Sequence, residues 1–317
     1  RARGCWCDWR SGLIAPIWLP AALIGGALQA WRTAVQRRVS RTLSINAAGL
    51  VRYLYGLPVA VLLVIAYEAV FARTPFPALG VWFVPFCLGG GLAQIIATNL
   101  LLMAFGERNF VVGTAYSKTE AVQSALLSVF LLGDHLSLPT WVGIGFGVAG
   151  VMVLSTGGKR MAAGAFLRAL GQPAARYGIA SGFMFALTTI GIRAATQAVA
   201  TPDHIRAALI VLATTVAAQT VAQGAYLLLR ERDQVARVFS EWRVAGQVGL
   251  MSSVASACWF TGFASAPVAL VRIVGQIEVA FTMAFAHFYL GEKTSRSEIL
   301  GLILVAIGVV FALVGSL

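Results

Sequence analysis

Glu120-Ala-Val-Gln-Ser-Ala-Leu-Leu-Ser-Val-Phe-Leu-Leu-Gly-Asp-His-Leu-Ser137 is the stretch on which the reading of this chain turns, because it recurs. At an offset of 158 residues stands Glu278-Val-Ala-Phe-Thr-Met-Ala-Phe-Ala-His-Phe-Tyr-Leu-Gly-Glu-Lys-Thr-Ser295. Glu120 matches Glu278, Phe130 matches Phe288, Leu132 and Gly133 match Leu290 and Gly291, and Ser137 matches Ser295. Beyond the quoted segments Gly143 matches Gly301 and Gly150 matches Gly308. Agreement at a single offset, with an acid in the middle of two otherwise apolar stretches, marks a duplicated unit. Farther upstream, Arg32-x-x-x-Gln36 aligns more weakly with Arg193-x-x-x-Gln197.

The surroundings say where such a unit lives. Of the 317 residues, 59% are apolar and 11% charged, whereas a soluble domain is about one quarter charged. A membrane span needs about 20 mainly apolar residues. Candidate spans fall at 14–35, 45–69, 80–104, 110–132, 139–157, 175–196, 205–229, 244–263, 268–290 and 297–317. The repeat distance holds five of them, and an odd number turns the second copy upside down. The expected fold is therefore an all-α integral membrane protein of about ten transmembrane helices in two inverted five-helix repeats, an arrangement used by secondary transporters. The expected divisions are a tail at 1–12, a first repeat at 13–157, a linker at 158–174 and a second repeat at 175–317. The longer connections, 158–174 and 230–243, are basic, polar and too short for soluble domains. The chain opens on Arg1 rather than Met, and no cleavable signal peptide is expected, since no small-x-small cleavage site stands out and many spans follow.

Several function classes fall away. The net charge of +12 comes from Lys and Arg in short loops, where they set membrane orientation, and no nucleic-acid motif accompanies it. Cys5, Cys7, Cys87 and Cys258 form no pair of metal-binding CxxC motifs. Gly89-Gly90-Gly91 lacks the Gly-Lys-Ser/Thr of a phosphate loop. His135, His204 and His287 are scattered, so no enzyme, metal or cofactor is expected. A channel or scaffold subunit is the alternative to a transporter, and a membrane-embedded enzyme a more distant one. The remaining partners are a small-molecule substrate and the lipid bilayer. A monomer and a homodimer are both compatible with the sequence.

Two copies of a helix with a mid-membrane Glu, then Leu-Gly-Asp/Glu and Ser, then a glycine-rich helix, resemble the drug/metabolite transporter superfamily in its EamA-type branch. The likeness covers residues 13–317. It implies ten spans, inverted repeats and gradient-linked movement of small solutes, often export, in the plasma (inner) membrane of a bacterium. The family often has Pro after the Glu, where this chain has Ala121 and Val279. Relatives are expected to keep both termini inside. The loop charges argue otherwise, since the loops after odd-numbered spans carry most of the Lys and Arg, which places those loops in the cytoplasm.

Ionisable residues inside a bilayer are costly and usually functional. Glu120 and Glu278 are central in their spans, and because burial disfavours a charged carboxylate, each is a candidate proton carrier. Helix packing is the plainer role. Arg52, Lys118, Arg193 and Arg272 are the basic residues within spans, and Arg32 lies at a helix end. Lys118, about 15 Å in from Arg108, is expected to meet an anionic substrate group or a carboxylate across a cavity. Arg272 has snorkelling, an acid on another helix or a bound anion open to it. Tyr116 and Ser124 lie at i−4 and i+4 from Glu120, and Gly275 and Thr282 flank Glu278. Asn99 and Trp259 add polar and aromatic lining, with interhelical packing the plainer role for both. The positive excess among these residues favours a carboxylate-bearing solute such as an amino acid.

Overall fold

A computed structural model describes residues 17–39, 42–106, 116–155, 173–281, 284 and 296–315. The tail 1–12, residues 158–172 of the linker, Thr282 and the second Leu290-Gly291-Glu292 lie outside the described residues; the helix Pro173–Gln197 takes up the last two linker positions. The described chain is helical throughout, apart from short connections. α1 (Trp18–Val39) is followed by α2 (Ile45–Leu54), α3 (Gly56–Val70), α4 (Phe83–Gly106), α5 (Glu120–Leu132) and α6 (Leu138–Ser155). Then come α7 (Pro173–Gln197), α8 (His204–Arg230), α9 (Arg232–Ser240), α10 (Trp242–Ser265), α11 (Val268–Gly275) and α12 (Arg296–Val314). Among the described residues five stretches are long and apolar enough to cross a bilayer: Ile45–Val70, Phe83–Ala104, Ala175–Gln197, His204–Arg230 and Trp242–Ser265. Glu120–Leu132, Leu138–Val153 and Ile299–Val314 are apolar and shorter.

The second span is two helices in line. Pro58 has no N–H to give to the carbonyl of Leu54, so the helix opens at Tyr55 and restarts. α10 closes on that opening: Ser253 Oγ donates to the Gly56 carbonyl at 2.8 Å, and Gly249 lies against Tyr55. α1 runs on to Val39, four residues past the expected end at 35, which carries Arg32 well inside the helix. The 230–243 connection contains a helix, α9, whose acidic first turn and basic last turn suit the helix dipole.

The two halves are interleaved. The main packings are α6 on α12, α4 on α7 and α1 on α10, each joining the first half to the second. α6 and α12 cross through glycine. A Cβ placed on Gly143 would lie 2.6 Å from the Gly308 carbonyl oxygen, and one on Gly308 would lie 2.7 Å from that of Gly143. One on Gly150 would lie 2.7 Å from the Gly301 carbonyl oxygen. Low numbers meet high numbers, so the helices are antiparallel. The contacts are also reciprocal, since Gly143 and Gly150 are the repeat partners of Gly301 and Gly308. A pseudo-two-fold axis between α6 and α12 accounts for both facts. Small residues are what let the backbones come this close in lipid.

Candidate functional site: crossed ion pairs at two helix breaks

Each repeat breaks its helix just before its glutamate. Residues 116–117 are helical, Lys118 and Thr119 form a turn, and α5 begins at Glu120. α11 ends at Gly275, Gln276 and Ile277 form a turn, and helix resumes at Glu278. The hydrogen bonds match across the offset. The amides of Thr119 and Ala121 reach back three residues, to the carbonyls of Tyr116 and Lys118, as those of Ile277 and Val279 do to Val274 and Gln276. Such tightened turns inside a helix commonly mark hinges. Neither copy has the Pro typical of the family; in the first, Thr119 Oγ1 donates to the Tyr116 carbonyl at 2.6 Å and competes with the helical ladder.

The breaks bring the charges of the two repeats together in crossed pairs. Arg272 Nη2 stands 2.7 Å from Glu120 Oε1, and Lys118 Nζ stands 3.5 Å from Glu278 Oε2. Each half supplies one acid and one base, and each acid is neutralised by the other half. Arg272 also donates to Thr189 Oγ1 on α7 and lies over the rings of Trp259 and Phe263, 5.4 and 5.0 Å from their centroids. Glu278 Oε2 accepts from Gln29 Nε2 of α1 at 2.7 Å. Of the alternatives open to Arg272, an acid on another helix is the one observed. Lys118 meets a carboxylate from the opposite repeat. The two pairs differ in character: the Arg272 pair is close and braced, while the Lys118 pair is longer and Lys118 is 27% exposed.

Buried polar atoms on these helices are left under-satisfied. Ser124 Oγ, Trp259 Nε1 and both amide atoms of Gln276 are buried with no hydrogen-bond partner among the described residues, and such groups in a native interior call for an explanation. Tyr116 is buried beside the break. Trp259 is wedged where a Cβ on Gly275 would overlap its ring, with Gly25 on its other side. Asn99 is elsewhere. Its Nδ2 donates to Asn46 Oδ1 at 2.9 Å, and Asn46 Nδ2 donates to Glu231 Oε1 at 2.6 Å, which ties α4 to the start of α2 and to the α8–α9 connection. Gln94 is likewise engaged, by Gln219 Nε2 at 2.8 Å. Gln29 and Thr189 were missed in the sequence. Gln29 was findable, since it lies one turn before Arg32 on the same face; Thr189 had no local signal.

Two further ion pairs lie toward the helix ends. Asp134, just after the left-handed Gly133 cap (φ 70°) of α5, stands 3.6 Å from Arg193 Nη2, and Arg193 Nη1 also donates to the Ala266 carbonyl. Arg206 holds Glu68 through two bonds of 2.7 and 2.6 Å and Thr74 Oγ1 at 2.8 Å. Among the described residues no cluster of His, Cys, Asp and Glu is arranged for a metal.

Interleaved helical halves, crossed charges at paired breaks and apolar outer faces define an integral membrane protein built as a transporter of small solutes. The profile of the EamA-like transporter family matches residues 16–156 and again 172–314, and the chain belongs to that family. A solved crystal structure shares the fold at 19% identity, with a TM-score of 0.68 over 94% of this chain and 98% of that one. No curated protein matches the sequence.

Proposed function

We propose that the chain is a secondary transporter that moves a small carboxylate-bearing metabolite, such as an amino acid, by alternating access. The observation that carries this reading is the crossed pairing of Glu120 with Arg272 and Glu278 with Lys118 at the two helix breaks. Four charges that neutralise one another across the repeats hold the halves together. A zwitterionic solute offers the same two charges. Its carboxylate would compete with Glu278 for Lys118, the looser and wetter pair, and its ammonium would take the released Glu278. The breaks at 118–119 and 276–277 then let each half-helix tilt as its partner changes. A carboxylate that loses its cation in a low-dielectric site is neutralised most cheaply by a proton, which supplies a route to proton coupling. Export across the inner membrane of a bacterium fits the family. The loop charges favour odd-numbered loops in the cytoplasm and both termini outside, against the orientation expected from relatives, with repeat boundaries near 157 and 175.

Counterflow in proteoliposomes tests the proposal. A carrier exchanges labelled solute against an excess of unlabelled solute on the other side, whereas a fixed pore does not. Glu120→Gln and Glu278→Gln keep the shape and much of the hydrogen bonding. Loss of proton-driven accumulation in either supports the coupling role; wild-type rates with unchanged pH dependence in both exclude it.

A further inference from the structure

Two buried arginines are left over from the central site. Arg32 lies seven residues before the end of α1 at Val39, and Arg52 seven residues after the start of α2 at Ile45. Each is about 10 Å into its helix by the α-helical rise. Gln36 Nε2 donates to the Ala48 carbonyl at 3.3 Å. That bond ties α1 to α2, and Arg32 and Arg52 come near enough for their charges to act on each other. The two side chains are 9% and 7% exposed, and their charges repel each other.

Every other described arginine buried to this degree or paired in the core has an acid. Arg193 has Asp134, Arg206 has Glu68 and Arg272 has Glu120. Among the described residues no carboxylate comes within ion-pair distance of Arg32 or Arg52. Arg32 Nε has no hydrogen-bond partner among the described residues, nor does the hydroxyl of Tyr53, a side chain that is almost wholly buried. Arg52 lies over the Tyr53 ring, 5.6 Å from its centroid. Among the described residues Glu278 is the acid whose charge acts on Arg32, from beyond ion-pair distance, and two like charges out of water with no ion-pair partner there are strongly unfavourable. A guanidinium is a rigid fork of donors suited to carboxylate and phosphate oxygens, and two forks with a phenol hydroxyl provide donors for a doubly charged oxyanion.

We propose that Arg32, Arg52 and Tyr53 form the subsite for an oxyanion of the transported solute, a phosphate monoester or a second carboxylate. This deepens the transporter reading and rests on it. The subsite is joined to the centre along one face of α1, where Gly26, Gln29, Arg32 and Gln36 follow one another at helical spacing. Gln29, one turn from Arg32, holds Glu278. A solute a few atoms long therefore spans from the arginine pair to the crossed pairs, which makes the preferred substrate a dianion rather than a simple monocarboxylate. By the repeat, Glu292 corresponds to Asp134, the partner of Arg193; it lies outside the described residues, so the test includes it.

The probes are inorganic phosphate and succinate added to purified protein in a neutral detergent, with sodium chloride at matched ionic strength as reference. The readout is the unfolding temperature. Both anions are expected to stabilise the wild type above chloride, and Arg32→Met and Arg52→Met each to lower apparent affinity at least about tenfold. Without anion, neither Met variant is expected to unfold below the wild type, because each removes a repulsion. Arg52→Lys keeps a charge and retains part of the response, which covers the case of a poorly folding Met variant. The inference is overturned by equal anion responses in wild type and variants, by stabilisation with phosphatidylglycerol but with neither probe, or by Arg32→Met and Glu292→Gln each unfolding at matching, lower temperatures without anion. Counterflow is read separately. Anion binding that depends on the arginines, with no exchange of any solute, keeps the subsite and removes the transporter reading.

Discussion

Within the bilayer a charged side chain has to find a partner, and which partner decides what its loss does. Arg272 and Glu120 form the close, braced pair, so removing one member strands the other. Breaking such a buried pair costs about 3–5 kcal/mol. Lys118 is partly wet, and its pair with Glu278 is longer. Arg272→Met is therefore expected to lower the unfolding temperature more than Lys118→Met, while Lys118→Met raises the half-saturating substrate concentration more. Thermal unfolding and uptake kinetics on the two purified variants check this, and a reversed order of both effects would rule out Lys118 as the exchanging cation. Glu120→Gln is expected to keep the protein folded yet cut transport by about tenfold, equivalent to about 1.4 kcal/mol, since the amide cannot carry the charge that Arg272 meets. A Glu120→Gln protein transporting at the wild-type rate removes the pair from the mechanism.

Helices in lipid gain nothing from leaving water, so close approach is what holds them, and glycine decides where. Gly143 and Gly150 present bare backbone to α12. Gly145, between them in sequence, has nothing within 4 Å of a Cβ and faces outward. Gly143→Val and Gly150→Val are expected to destabilise by about 1–3 kcal/mol, the usual cost of overpacking, and Gly145→Val to be neutral. Unfolding temperature in detergent measures all three; equal values for 143 and 145 would contradict the α6–α12 crossing. The breaks in α2–α3, before α5 and after α11 have different causes. Pro58 makes the first legible in sequence. The other two lack Pro and follow from tightened turns, one with a Thr119 side-chain bond, which no residue pattern announces.

For the whole molecule, orientation is set by charges outside the lipid. Arg73 lies in the connection between α3 and α4, and Arg232 opens α9; both are exposed. With odd-numbered loops in the cytoplasm, a cysteine at 73 is expected to react with a membrane-impermeant thiol reagent in intact cells, and one at 232 only after permeabilisation, in a background lacking the native cysteines. The opposite pattern would reverse the assignment and bring the termini inside, as expected from relatives.

The sequence by itself determined the membrane, the duplication and its inversion, because apolar length and a five-span offset are properties of the chain read in order. It also placed Glu120, Glu278, Lys118 and Arg272 as charges in need of partners, because burial of a charge is costly wherever it falls. Only the tertiary structure decided which partner each one took. Crossed pairs join residues more than 150 positions apart, and that choice depends on how α5 and α11 meet across the pseudo-two-fold axis. The same holds for Arg32, which reads as a helix-end residue free to reach water until α1 runs on to Val39 and the charge of Arg52 acts on it. Spacing along one helix fixes a face; what that face meets is settled by the packing of helices distant in sequence.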